Sequence, residues 1–370
     1  MNIRKRNVSI DVIKGMGIFL MVSGHCGAPY THFIYLFHMA IFFIASGYLF
    51  NEKHSNNFQA FINFAKRKFK SLWFPYVLWI AIFTILNNFF IKINIYTDNK
   101  RLLDYASGEF IKTMPYLSFE DILKNIFKGL LLHGGSQIGS AMWFLATLFE
   151  ISVLYCLIDL LLKFKLNKNK ALIVQAAVSV IFLLIGYSLS ATGKSLAGYA
   201  RVFSCYILFY LGHIFKLFNI SNIGNSMKKH VFTFLICMAI LLCMDRLGSI
   251  DLGANSYGNP LYLLIVSCVG WQFLYEMAEI IKQREKVKDF WVKIGQNTLA
   301  VIILHFLCFK IVNVVEVIIY RKPSFLIAAF PTLYTNNGWW IIYIFVGLFI
   351  PVALSILKKK SIIYCQSKFD

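Results

Sequence analysis

Ten stretches of about 20 mostly apolar residues, separated by short polar connections, leave this chain few folds to choose from. They cover approximately 9–27, 32–51, 71–92, 141–162, 171–190, 199–217, 231–246, 259–281, 294–318 and 337–357. In hydrocarbon every backbone N–H and C=O must be satisfied within its own segment, which a helix does and an open strand does not. The expected fold is therefore all-α: a polytopic integral membrane protein of about ten transmembrane helices, one domain over 1–370 with no additional soluble domain. A residue content that is 58% hydrophobic and only 15% charged excludes a soluble globular protein of 370 residues.

The formal net charge of +20 would suit a nucleic-acid binder, but the Lys and Arg residues sit in short clusters between apolar spans instead of forming one basic face. No nucleic-acid partner is expected. With ten spans both termini lie on one side. The connections on that side carry more than twice as many Lys and Arg as the others, so both termini are expected in the cytoplasm. The first span follows Arg4, Lys5 and Arg6 without a small-residue cleavage site, so no secretion signal is read there. Eight Cys without a CxxC pair suggest neither a zinc site nor a disulfide framework.

The longest connection, 93–140, falls on the extracytoplasmic side. Within it Phe119, Ile122, Leu123, Ile126, Phe127, Leu130 and Leu131 follow helical spacing, Glu120, Asp121, Lys124 and Lys128 fall opposite, and Ser118 with Asp121 forms a capping pattern. These residues predict an amphipathic helix in the membrane interface, either a roof over a site or a plain connector.

Ionisable side chains inside apolar spans are costly and mark functional candidates. His25 closes the first span in Ser23-Gly24-His25-Cys26-Gly27, and an imidazole can take and return a proton near neutral pH. The competing reading is a helix-end histidine bonded to a carbonyl. Asp11 and Lys14 lie at the other end of that span, Asp11 about 21 Å from His25 along a helix, so Asp11 does not orient His25. His38 lies just inside the second span, where the turn at Gly27-Ala28-Pro29 could bring it near His25. Two histidines without a third ligand make no metal site, and none is expected. His305 lies deep in the ninth span, as helix–helix glue or as a substrate contact. Glu150, two turns into the fourth span, calls for a cationic, imidazole or hydroxyl partner. Lys66, Arg67, Lys68 and Lys70 precede the third span. Such a run serves orientation and anionic lipid, or it grips the phosphates of a cytosolic cosubstrate.

The order of motifs resembles the acyltransferase 3 family of integral-membrane sugar and polysaccharide O-acetyltransferases. The residues that carry the resemblance are Asp11-Val-Ile-Lys14-Gly15 running to His25, then Phe37-His38-Met39 with Gly47-Tyr48, the basic run leading to Pro75-Tyr76, Trp143-Phe144-Leu145, and Leu304-His305. Two departures are Ala40, where the family often has Pro, and Lys70, where an Arg-x-x-Arg pair would have its second Arg. The resemblance implies acetyl-CoA as a cytosolic acyl donor, a sugar hydroxyl in a cell-surface glycan or its precursor as acceptor, and His25 as the catalytic residue. The basic run would hold the donor phosphates, and the other partners would be membrane lipids of a bacterial cytoplasmic membrane. His25 would deprotonate the acceptor hydroxyl or be acylated itself. The competing function is a transporter or flippase for a glycan precursor that uses intramembrane His and Glu as a proton relay.

Overall fold

The structure, a computed structural model, describes residues 7–105, 113–194, 196–222, 224 and 226–366. Arg4, Lys5 and Arg6 of the N-terminal basic cluster and 106–112 of the long connection lie outside the described residues. Thirteen helices organise the chain: α1 (Val8–His25), α2 (His38–Tyr48), α3 (Phe58–Lys68), α4 (Phe74–Ile85), α5 (Phe119–Leu130), α6 (Trp143–Lys165), α7 (Lys168–Ala191), α8 (Tyr199–Leu217), α9 (Met227–Asp245), α10 (Pro260–Ile281), α11 (Glu285–Gly295), α12 (Thr298–Ile319) and α13 (Trp339–Gln366). Among the described residues nine helical segments are long and apolar enough to cross a membrane. The chain is an all-α integral membrane protein.

The remaining expected span, 71–92, is interrupted. A π-helical turn at Phe69–Trp73 leads into α4, which stops at Ile85, and a short helix follows at Asn87–Lys92. Two asparagine side chains at the break hold a distant loop. Asn87 Nδ2 donates to Pro115 O at 3.0 Å, while Asn88 exchanges two 2.8 Å hydrogen bonds with the Leu117 backbone. Side-chain amides recruited to anchor a loop serve here in place of an unbroken hydrophobic ladder.

By its contacts the chain divides into two compact units. The first comprises Met1–Gly17, His32–Pro75 and Trp143–Gly295; the second comprises Ile18–Thr31, Tyr76–Met142 and Gln296–Asp370. In the first unit, α2 and α8 approach until their backbones touch. A Cβ added at Gly47 would lie 1.9 Å from Phe209 O, and one at Gly212 would lie 2.0 Å from Ile44 O. Without a hydrophobic drive between helices in lipid, such close approach through small residues supplies the packing. Gly47→Ala is therefore expected to cost at least about 3 kcal/mol, since a backbone carbonyl has no rotamer with which to yield. Monodisperse protein recovered in detergent should fall to a small fraction of wild type, and an undiminished yield would reject the close approach. Ile173, Val180, Ile181 and Leu184 on α7 and Phe232, Leu235 and Ile236 on α9 are exposed, the pattern of helices that face lipid. A small antiparallel pairing, Ile250–Asp251 with Ser256–Tyr257, follows α9, and Tyr257 Oη bonds Ser204 Oγ at 2.7 Å.

In the second unit α5 is three-sided. Ser118 and Asp121 cap it reciprocally, each side chain bonding the other residue's backbone N–H. Asn125 and Gly129 face inward, with Asn125 Nδ2 on Thr84 Oγ1 at 2.7 Å and Gly129 against Ile80. Phe119, Leu123, Phe127 and Leu130 form an exposed apolar stripe, and Glu120, Lys124 and Lys128 form the polar side.

Candidate functional site

α1 ends at His25 because the chain turns at Gly27, whose φ of +64° favours a residue without a side chain. A Cβ there would also press on the Thr335 side chain at 2.9 Å. The His25 ring stacks on His305, with centroids 5.5 Å apart and planes 21° apart, and meets Phe306 at 5.0 Å. His305 Nδ1 lies 2.8 Å from Val301 O, one turn earlier in α12. A carbonyl only accepts, so Nδ1 carries the proton and Nε2 presents a lone pair. That Nε2 is buried and has no hydrogen-bond partner among the described residues. An unmet buried acceptor costs about 1–3 kcal/mol, which a donating hydroxyl would recover.

The depth of this pair is informative. His305 stands about a third of the way along α12, with about 21 Å of helix beyond it at 1.5 Å per residue. His25 is the last residue of its own helix, yet it meets the interior of a longer one.

In the first unit, α3 begins at Asn57, whose side chain accepts from Ala60 N, and carries the basic run on its last turn. Arg67 Nη2 donates to His54 Nδ1 at 3.1 Å, and the Arg67 and Lys68 cations lie 6.0 and 5.4 Å from the Phe64 ring. Lys68 is half-buried, and Lys14 of α1 and Arg67 both repel its charge. Burial first, then those two cations, push its pKa down to about 8. Lys14, Arg67 and Lys68 thus come together, while Lys66 and Lys70 stand exposed at the surface. A half-buried cation repelled by two others is an arrangement that an anion stabilises. Lys163 does not join them. Its Nζ is bound to Asp159 Oδ2 at 2.6 Å, Ser55 Oγ at 3.0 Å and Glu52 O at 3.4 Å, and Asp159 also accepts from Ser55 Oγ. That network secures the turn Glu52–Ser55, which carries His54.

Asp11 stands half-buried one turn before Lys14 on α1. His38 is buried, with Nδ1 2.9 Å from Ile34 O and its ring 4.9 Å from Tyr35. It belongs to the first unit and His25 to the second. Glu150 is half-buried on α6 and interacts electrostatically with Arg201 of α8, whose guanidinium lies 5.1 Å from the Trp143 ring and donates to Gly253 O at 2.8 Å.

Sequence reasoning passed over several intramembrane charges. Asp159, Glu276, Lys310 and Glu316 are all buried within helices that can span the membrane. His230 Nδ1 lies 2.5 Å from Glu276 Oε2, and Gln272 Nε2 donates to the same carboxylate. The signal that singled out Glu150, a charge inside an apolar run, marks each of these equally. Among known proteins, a family model described as an acyltransferase domain, Acyl_transf_3, matches residues 7–357. No curated protein and no solved structure matches the chain.

Proposed function

The chain belongs to the acyltransferase 3 family and is a membrane acyltransferase, and on that premise we propose that it moves an acetyl group from cytosolic acetyl-CoA to a hydroxyl of a sugar in a cell-surface glycan or its precursor. The observation that carries this reading is the stacked His25–His305 pair in the interior of α12, one ring of which keeps a buried lone pair for a hydroxyl donor. In this mechanism His25 takes the proton of the acceptor hydroxyl as its oxygen attacks the thioester carbonyl. The tetrahedral intermediate then expels the CoA thiolate, which recovers that proton from the imidazolium. His305 Nε2 accepts a hydrogen bond from the sugar and sets its orientation.

The Lys14, Arg67 and Lys68 group is the proposed seat of the donor phosphates, with His54 orienting Arg67. The positive-inside rule puts this group, and both termini, in the cytoplasm. Glu150, with Arg201 near it, and His38 are assigned supporting roles in the first unit.

The reading is tested with purified protein in vesicles, supplied with radiolabelled acetyl-CoA on the side of the basic group and with glycan outside. Label is expected on the glycan, with an acetyl-sized mass gain on one sugar. Movement of an unmodified glycan precursor without label transfer would replace this reading with the transporter.

A further inference from the structure

The connection between α12 and α13 is not an exposed loop throughout. Leu326, Ala328, Ala329 and Phe330 are buried, and the segment runs back along α12. Irregular backbone at membrane depth is tolerated only where protein satisfies its polar groups. Here α12 does so from one face, since Lys310, Asn313 and Glu316 recur at intervals that keep them within roughly a quarter turn to either side of one line.

Lys310 Nζ donates to Ala328 O at 3.1 Å and to Ala329 O at 2.6 Å. Asn313 Nδ2 donates to Ile327 O and Ala329 O, both at 2.9 Å. Glu316 Oε2 accepts from Tyr334 N at 3.3 Å. From α13, the Tyr343 hydroxyl accepts from Leu333 N at 3.1 Å and stands 2.6 Å from Asn313 Oδ1 and 2.7 Å from Glu316 Oε2. All four side chains are buried.

The segment they hold reaches the histidine pair from two directions. Phe330 rests on Phe306 at 4.7 Å, and Phe306 lies 4.0 Å from His305 and 5.0 Å from His25. Thr335 closes on Gly27, and Cys26 Sγ donates to Trp340 O at 3.6 Å. The residues immediately after His25 are thereby pinned to the residues immediately after the tethered segment.

We infer that Lys310, Asn313, Glu316 and Tyr343 are positioning residues: they hold 327–335 at the depth of His25, so that Phe330 and Thr335 form the wall against which the acceptor hydroxyl is set. None of the four touches the reacting atoms. The acceptor part rests on the acyl-transfer reading above; the tether itself does not.

Two variants separate tether from fold. Tyr343→Phe removes one oxygen and keeps the ring that packs on Phe309, and Lys310→Met keeps the stem and removes the donor. The readout is maleimide labelling of Cys26, which is fully buried beside Trp340, resolved by mass spectrometry against Cys156, buried in the first unit. Labelling of Cys26 is expected to rise at least tenfold in both variants while Cys156 stays protected. In the transfer assay KM for the glycan should rise several-fold with KM for acetyl-CoA unchanged within twofold. Protection of Cys26 equal to wild type in both variants would overturn the tether, as would equal acceleration at Cys26 and Cys156. Loosened Cys26 with both KM values unmoved would overturn the acceptor wall. Absence of any transfer by the wild-type protein would instead reject the acyltransferase reading and leave the labelling result to stand.

Discussion

His25→Ala is expected to lower the rate of acyl transfer by about 10²–10⁴-fold, the contribution of a positioned general base, with the protein still inserted and monodisperse. The ring is half-buried and its contacts include His305 and Phe306, which also pack on one another at 4.0 Å and on Phe309 and Phe330. Removing His25 therefore leaves that aromatic cluster standing. The turn that follows is held independently by Gly27 and by Cys26 Sγ on Trp340 O. Loss of transfer with unchanged donor binding is the result that assigns His25 to the chemical step. Activity within a few-fold of wild type would remove His25 from catalysis, and with it the proposed mechanism. His305→Phe is the companion measurement. It keeps an aromatic face for stacking and deletes the lone pair, so acceptor KM should rise while the effect on the rate stays smaller than that of His25→Ala.

Hydropathy reads span existence well because the solvent it describes is uniform. A helix in lipid needs only length and apolar content, and among the described residues nine helical segments announce themselves that way. It fails where a side chain makes a specific bond. Asn87 and Asn88 are two polar residues in an apolar run, and nothing local says that they fasten Pro115 and Leu117 where the span is interrupted. The segment 327–335 fails for a similar reason. Its Pro331, Thr332 and Thr335 interrupt the apolar pattern, whereas the donors that bury it, Lys310 and Asn313, lie on the preceding helix and look there like isolated exceptions.

Of the site, sequence singled out His25 and His305 separately. Their stacking depends on the last residue of α1 meeting the interior of α12, a geometric fact that a list of span boundaries does not hold. The basic run was visible as composition, but which cations gather was not. Lys14 and Lys68 stand 54 positions apart in the chain, and exposure sets Lys66 and Lys70 apart from the half-buried Lys68 next to them.

The gathered cations make the second large expectation: replacing Arg67 and Lys68 together by Ala should raise KM for acetyl-CoA about 10²-fold and leave KM for the glycan unchanged. A hydrogen bond to a charged group is worth roughly 1.5–3 kcal/mol, and two would give more than this, but Arg67 is exposed and screened, which puts the sum near the lower end. The same site predicts a pH dependence with a definite sign. Lys68 is charged below its pKa of about 8 and loses its proton as pH rises through that value. Donor phosphates favour the charged form, so donor affinity should be full near pH 7 and about tenfold weaker near pH 9, if the phosphates bind only the protonated site. Lys68→Arg should flatten that dependence, because a guanidinium stays charged throughout the range. The basic run also serves membrane orientation, and the two roles part here. Orientation depends on the number of positive charges near the span and is indifferent to which residue is half-buried beside Lys14. A donor KM that is insensitive both to the double substitution and to pH would return the run to orientation alone and leave the donor site to be sought elsewhere in the chain.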